Sequence, residues 1–224
     1  MTRTLAVILD MDGLMLDTEP ISLRVWRDAA RHLGYVLDDE TCERMIGISQ
    51  TANREMLLHR LGADCPIDEL VRIAQARYRE VLDLEGVPVK PGLLDFIQFL
   101  DERKMPRAVA TSTASELASH KLRQAGVLHH FDVVVGGEQV RRGKPEPDIF
   151  LEAAVRLNQQ PNDCVVLEDS GPGIQAAAAA GMTPILIPDG REPSAESRRI
   201  AFAVVDSLSA AKAVIARLME GGAG

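Results

Sequence analysis

Two pairs of acidic residues stand directly after short apolar runs of the sequence. Asp10 and Asp12 follow the first of these runs, and Glu168 and Asp169 follow a later one. Carboxylates held this close together repel one another, so each pair needs a positive partner, and a divalent cation bound by oxygen ligands is the simplest one. Asp-x-Asp-Gly is also a common turn or helix-cap sequence. The acids alone leave a cation site and a turn as alternatives.

Hydroxyl side chains and a lysine occupy comparable places in the chain. Thr111, Ser112 and Thr113 follow another apolar run and precede a helical pattern, where hydroxyl and backbone N–H groups can hold phosphate oxygens. The same residue types are ordinary helix caps. Lys144 lies in a polar loop, and its ammonium group can contact a phosphate or a carboxylate, or remain in solvent.

The apolar runs that precede these residues predict strands. They lie at residues 5–9, 107–110, 132–135, 164–167, 184–187 and 201–205. Continuous apolar runs are typical of strands buried on both faces, and helical patterns separate them from residue 91 onward. We therefore predict a parallel α/β sheet. Ligands of such sheets bind beyond the carboxyl ends of the strands, where the acids, hydroxyls and lysine would lie.

Helical patterns fill the rest of the chain. After residue 91 they cover residues 91–103, 115–125, 147–157 and 174–180, and before it residues 20–33, 39–46, 51–61 and 67–84. The segment at 18–88 contains no convincing strand, so we predict that it is a helical domain inserted into a core domain made of residues 1–17 and 89–224. An insertion at the carboxyl end of a strand is expected to cover a ligand site.

Composition excludes several classes of function for this 224-residue chain. Its net charge of −8 disfavours nucleic acid and anionic membrane surfaces as partners, but permits a small anionic ligand in a local pocket. Cys42, Cys65 and Cys164 form no disulfide or zinc pattern, which favours a cytoplasmic location. No apolar run approaches the roughly 20 residues that span a bilayer, and none has the pattern of a signal peptide.

The order of these motifs resembles the haloacid dehalogenase-like hydrolase superfamily. The resemblance rests on Asp10-x-Asp12-Gly13, Thr111, Lys144-Pro145, Glu168-Asp169-Ser170, Gly173-x-x-Ala176-Ala177 and Ala180-Gly181-Met182. The run from Asp10 to Pro20 and the helical insertion are similar to the branch that holds β-phosphoglucomutase and small sugar-phosphate or nucleotide phosphatases. The resemblance implies an α/β fold with a Rossmann-like parallel sheet core and an inserted α-helical cap domain.

The resemblance also implies a role for each acid. Asp10 would be the nucleophile that forms an aspartyl-phosphate, and Asp12 would protonate the leaving group and then deprotonate the attacking water. Mg²⁺ would be bound by Asp10, by the backbone carbonyl of Asp12 and by Asp169, with help from Glu168. Lys144 would balance the remaining negative charge beside the nucleophile.

Substrate binding is implied for two groups of residues. In the core, Thr111 would act with Ser112 and Thr113 on the phosphoryl oxygens. In the cap the implied residues are Thr18, Gly47, Ile48, Ser49 and Gln50.

The cap also departs from the mutase pattern. β-Phosphoglucomutases carry a histidine where this chain has Ser22, and an arginine for the distal phosphate where it has Gln50. Loss of that arginine weakens the site for a second phosphate unless Arg44 or Arg54 replaces it, so hydrolysis is favoured over the mutase reaction. The alternative interpretation is that Ser22 and Gln50 are ordinary solvated helix residues.

Two other classes of function are alternatives to the hydrolase. Residues 171–176 match the dinucleotide-binding pattern G-x-G-x-x-A, with Asp189 at a suitable distance for a ribose contact, but Glu168 and Asp169 would repel a pyrophosphate there. A binding protein without catalysis is disfavoured because every implied catalytic side chain is present. The expectation is a monomeric, Mg²⁺-dependent phosphatase of a small phosphorylated metabolite, such as a sugar phosphate or nucleotide, with a β-phosphoglucomutase-type phosphotransferase as the alternative.

Overall fold

Two compact units make up the protein. The computed structural model describes residues 5–45, 50–190 and 192–221. One unit comprises Met1–Asp17 and Pro88–Gly224, and the other comprises Thr18–Val87. We call them the core unit and the helical unit.

The helical unit is built from four helices in the described residues. They are α1 (Glu19–His32), α2 (Asp39–Met45), α3 (Gln50–Leu61) and α4 (Ile67–Glu85). Helices α1 and α4 pack against each other. The apolar faces that they bury include Val25 and Ala29 of α1, and Leu70 and Ala74 of α4. Their spacing of four residues is that of one helix face, so the amphipathic pattern accounts for this packing.

Helices and strands alternate in the larger part of the core unit. Its helices are α5 (Leu93–Glu102), α6 (Ser115–Gln124), α7 (Asp148–Arg156), α8 (Gly171–Ala179), α9 (Ala195–Ile200) and α10 (Leu208–Met219). Its strands are β1 (Ala6–Leu9), β2 (Arg107–Ala110), β3 (Val133–Val135), β4 (Cys164–Glu168), β5 (Thr183–Leu186) and β6 (Ala203–Val204). Every helix in the described residues is too short or too polar to cross a membrane.

The strands form one six-stranded sheet in the order β3-β2-β1-β4-β5-β6, and every pair is parallel. This confirms the α/β fold class predicted from the sequence. Every residue of β1 and β4 is buried, as expected for central strands covered by helices on both faces. Helix α7 contributes Phe150 to the apolar layer on one face.

The register of the sheet brings three strand ends to one edge. Leu9, the last residue of β1, pairs with Val109 of β2 on one side and with Leu167 of β4 on the other. The segments that follow β1, β2 and β4 therefore begin at the same level. This is the edge at which ligands of parallel α/β sheets bind.

Candidate active site

A buried lysine joins the ends of the three central strands. The Lys144 ammonium donates to Asp10 Oδ1 at 2.5 Å, to Glu168 Oε1 at 2.6 Å and to the carbonyl oxygen of Ala110 at 3.2 Å. It also lies 5.1 Å from the centre of the Phe150 ring, within range of a cation–π contact. The Lys144 side chain is only 7% exposed, so these contacts replace its hydration. The sequence offered a solvent-exposed lysine as the alternative, and this geometry contradicts that alternative.

Burial and charge shift the pKa values of the acids at this edge. Burial raises the pKa of Asp10 to about 7, although the charge of Lys144 partly opposes the rise. Burial and the negative charges of Asp10 and Glu168 raise the pKa of Asp169 to about 9. Burial would lower the pKa of Lys144, but the charges of Asp10 and Glu168 raise it overall. The site holds more negative charge than one lysine neutralises.

Glu168 is fully buried and has protein donors on both carboxylate oxygens. Besides Lys144 on Oε1, the backbone N–H of Ser170 donates to Oε2 at 2.9 Å and the Ser170 hydroxyl donates at 2.8 Å. A Cβ atom added to Gly173 would lie 1.9 Å from the Glu168 carboxyl carbon. The glycine of the apparent dinucleotide pattern therefore makes room for this carboxylate. The metal-ligand role of Glu168 stays a prediction.

Asp12 is held by two donors from the segment after β2. The Thr113 hydroxyl donates to Asp12 Oδ2 at 2.9 Å, and the Lys121 ammonium donates to Oδ1 at 2.7 Å. Lys121 lies on α6 and is 4% exposed. No strand-end motif pointed to Lys121, although its place next to buried Leu122 and three residues after buried Ala118 puts a lysine on the apolar face of the helix.

The segment at 111–113 is packed against the loop that follows β3. Thr111 is buried, its N–H donates to the Val135 carbonyl at 3.0 Å, and its hydroxyl accepts from the Thr113 N–H at 3.1 Å. The N–H of Gly137 donates to the Thr113 carbonyl at 3.2 Å, and a Cβ atom on Gly137 would lie 2.6 Å from the Ser112 carbonyl oxygen. This close approach fixes the backbone of the predicted phosphate-binding segment, while Ser112 itself is exposed.

The carboxylates fit an oxygen-binding cation such as Mg²⁺. Gly13 has a φ of 84°, and a Cβ atom there would lie 2.3 Å from Asp169 Oδ2, so the Asp169 carboxylate sits directly against the turn after β1. No group of three or more His, Cys, Asp or Glu side chains in the described ranges is arranged as a metal cluster. The predicted set of two carboxylates, from Asp10 and Asp169, and one carbonyl, from Asp12, does not require one.

A second charged cluster lies in the core unit beside this turn. The Lys90 ammonium donates to both carboxylate oxygens of Asp189 at 2.8 Å and pairs with Asp17 at 3.1 Å. Asp189 also approaches Gly13, since its Oδ2 would lie 3.5 Å from a Cβ atom there. The sequence patterns indicated Asp189 only as a ribose ligand and did not indicate Lys90. The pairing became visible only in the structure, because the two residues are distant in the chain.

The structure describes only some of the residues predicted to bind substrate in the cap. Thr18 is buried, and its carbonyl accepts from the Ser22 N–H at 3.0 Å in the first turn of α1. Gly47, Ile48 and Ser49 lie outside the described residues, and Gln50 is the first residue of α3.

Both cap arginines that could replace the mutase arginine have acidic partners. Arg44 pairs with Glu40 at 2.8 Å, and Arg54 pairs with Asp68 at 2.8 Å.

Comparisons with known proteins identify the family of this chain. The family described as haloacid dehalogenase-like hydrolase matches residues 4–181. The fructose-1-phosphate phosphatase of Escherichia coli is 37% identical over 180 residues, which are 80% of this chain and 94% of that protein. The phosphorylated carbohydrates phosphatase of Thermotoga maritima is 33% identical over 177 residues, or 79% of this chain and 82% of that one. The crystal structure of a putative β-phosphoglucomutase from Thermotoga maritima has a TM-score of 0.81 at 28% identity and covers 96% of this chain and 100% of its own. The chain that carries this acid, hydroxyl and lysine arrangement belongs to the haloacid dehalogenase-like hydrolases.

Proposed function

We propose that this chain is a Mg²⁺-dependent phosphatase of small phosphorylated carbohydrates and that it works through an aspartyl-phosphate on Asp10. The observation that carries the proposal is the buried Asp10 carboxylate, 2.5 Å from the Lys144 ammonium. A second carboxylate, that of Asp12, follows two residues later. The two relatives named as phosphatases of carbohydrate phosphates support the same substrate class.

In the first step, a carboxylate oxygen of Asp10 attacks the phosphorus atom of the substrate. The ester P–O bond breaks as the new bond to Asp10 forms, and the electron pair of the broken bond goes to the leaving oxygen. Asp12 donates a proton to that oxygen, so the product leaves as an alcohol. Lys144 stays beside Asp10, where its positive charge offsets the approach of a phosphate dianion.

In the second step, water hydrolyses the aspartyl-phosphate. Asp12, now ionised, takes a proton from the water as the water oxygen bonds to phosphorus. The bond between phosphorus and the Asp10 oxygen breaks, which releases inorganic phosphate and restores the Asp10 carboxylate. Asp12 is protonated again and ready for the next substrate, so protons balance over the cycle.

The segment after β2 suits the transferred phosphoryl group. Thr111 is anchored by the Val135 carbonyl, and the exposed residue Ser112 lies before the first turn of α6. Hydroxyl and N–H donors placed in this way can bind phosphoryl oxygens in both steps.

The metal would be held by Asp10, Asp169 and the backbone carbonyl of Asp12. When bound, Mg²⁺ supplies positive charge that screens the phosphoryl oxygens from the carboxylates and aligns the reacting groups. The raised pKa values of Asp10 and Asp169 support this assignment, because they reflect acidic groups crowded together in a buried place.

Release of inorganic phosphate from a panel of sugar phosphates, polyol phosphates and nucleoside monophosphates tests the proposal. We expect release with Mg²⁺, none with EDTA and none from Asp10→Asn. Mass spectrometry of acid-quenched wild-type protein should find phosphate on the peptide that contains Asp10. Release that persists in Asp10→Asn would refute the mechanism. Conversion of β-glucose 1-phosphate to glucose 6-phosphate without phosphate release would instead establish the mutase alternative.

A further inference from the structure

We infer that Lys121 is a positioning residue that holds the Asp12 carboxylate in the orientation needed for proton transfer to the leaving group. This inference rests on the proposed phosphatase function and adds a residue that the sequence motifs did not contain. Lys121 lies eight residues beyond Thr113, on α6 rather than in any of the strand-end segments.

The contacts of Asp12 fix both of its carboxylate oxygens. Lys121 donates to Oδ1 at 2.7 Å and Thr113 donates to Oδ2 at 2.9 Å. Because the two donors approach different oxygens, rotation of the carboxylate about its terminal bond would break at least one of these hydrogen bonds. The Asp12 side chain is 28% exposed, so it retains an open side toward solvent or a bound substrate.

Lys121 is buried, so its ammonium group depends on the contact with Asp12. The Lys121 side chain is 5% exposed, and burial of a lysine is costly unless its ammonium group is paired. Its neighbours Ala118 and Leu122 on α6 are both fully buried. An apolar residue at this buried position would avoid the cost of removing an ammonium group from water, so the lysine points to a requirement at Asp12.

The orientation of Asp12 matters most for substrates whose leaving oxygen needs a proton. An alkoxide from a sugar or polyol phosphate is strongly basic and departs slowly unless it is protonated. The 4-nitrophenolate ion is weakly basic and departs without help. A residue that aligns the proton donor should therefore affect the first substrate and spare the second. A residue that only stabilises the fold, or only attracts anions, should affect both equally.

The experiment compares Lys121→Met with wild type on fructose 1-phosphate and 4-nitrophenyl phosphate with saturating Mg²⁺. The measured quantity is kcat/KM, which reports the steps up to leaving-group departure and excludes hydrolysis of the aspartyl-phosphate. For Lys121→Met we expect a loss of about 10- to 100-fold with fructose 1-phosphate, since misplacement of a reacting group by about 1 Å costs up to about 100-fold. With 4-nitrophenyl phosphate we expect a change below about 3-fold, because that leaving group needs no proton.

Three further variants make the result specific. Asp12→Ala should show the same selective loss to a larger extent, and Lys121→Arg should recover part of the activity on fructose 1-phosphate. Lys212→Met, a half-buried lysine on α10, is the matched control and should resemble wild type on both substrates. If Lys121→Met does not fold, Lys121→Gln removes the charge but keeps a polar side chain, and it should give a smaller loss that is again selective for fructose 1-phosphate.

The outcomes separate this inference from the proposed function. A wild-type protein that releases no phosphate from either substrate would refute the phosphatase itself. If wild type hydrolyses both, equal losses on both substrates in Lys121→Met would refute the positioning role. Increased activity of Lys121→Met on fructose 1-phosphate would also overturn it, because Lys121 would then hold Asp12 away from the leaving group.

Discussion

Replacement of Gly173 by alanine is a demanding test of the site geometry, because a single methyl group would collide with Glu168. The added Cβ atom would lie 1.9 Å from both the carboxyl carbon and Oε1 of that residue. Ordinary contact between such atoms is about 3.5 Å, so one of the two groups must move by about 1.5 Å. The helix backbone at Gly173 is held by the Ser170 cap, so we expect the Glu168 carboxylate to move. Lys144, 2.6 Å from Glu168, would move with it.

Two measurable losses follow from this displacement. Overpacking of the buried carboxylate costs about 3 kcal/mol. The better helix propensity of alanine returns about 1 kcal/mol, which leaves a net destabilisation of about 2 kcal/mol. For a chain of this length, that lowers Tm by about 4–8 °C. A misplacement of about 1 Å beside Asp10, the proposed nucleophile, should lower kcat about 100-fold.

Differential scanning calorimetry and phosphate release measure the two effects on Gly173→Ala. Gly143→Ala is the matched control, because no atom lies within 4 Å of the Cβ atom that it would add. Wild-type Tm and activity in Gly173→Ala would show that Glu168 moves freely, which would refute the reasoning. A lower Tm with wild-type kcat would show that Glu168 does not position Lys144.

Three other predictions concern the charges of the core unit. Asp10→Asn should keep the far-ultraviolet circular dichroism spectrum and Tm within about 5 °C of wild type while phosphate release disappears, and residual release would contradict the nucleophile assignment. In metal-free protein, the pKa values of Asp10 and Asp169 are raised from 3.8 to about 7 and about 9. The folded state therefore binds more protons than the unfolded state between these pKa values, and the free energy of unfolding in urea should fall as pH rises from about 4 to about 9. Asp169→Asn should flatten that slope, whereas an unchanged slope would assign it to other groups. Lys90→Met removes the hydrogen bonds to both oxygens of Asp189 and should lower the free energy of unfolding in urea by about 1.5 kcal/mol. An unchanged free energy of unfolding would show that this pair does not stabilise the fold.

The sheet was predictable because its strands are buried on both faces. Such strands are continuous apolar runs in the sequence, and the run predicted at 107–110 coincides with β2. The run at 201–205 was less informative, since β6 is a two-residue edge strand in which Ala203 is half-buried and Val204 is exposed. For α8, the apolar run predicted a start at residue 174, but the helix begins at Gly171. Its first turn is set by the Ser170 cap, a feature that propensity does not capture.

The acids and hydroxyls of the site were predictable because they lie at or within a few residues of the ends of strands, whereas Lys121 and Lys90 do not. Most lysines are exposed, so a lysine within a helix carries little information about a site until burial is known. Asp12, the partner of Lys121, is more than a hundred residues away in the chain. Pairings of this kind depend on the three-dimensional arrangement of helices over the sheet, which local patterns do not determine.

The place of β1 in the sheet has a consequence for the order of events during synthesis. Ala6 to Leu9 are synthesised long before their two neighbours in the sheet, which are β2, where Val7 pairs with Arg107, and β4, where Ala6 pairs with Cys164. The nascent chain therefore carries Asp10 before Lys144, which pairs with it, and before the strand that supplies Glu168. Contacts between such distant segments form late and slowly. A chain interrupted before β4 would present an unpaired edge of β1, the kind of surface on which chaperones and aggregation act.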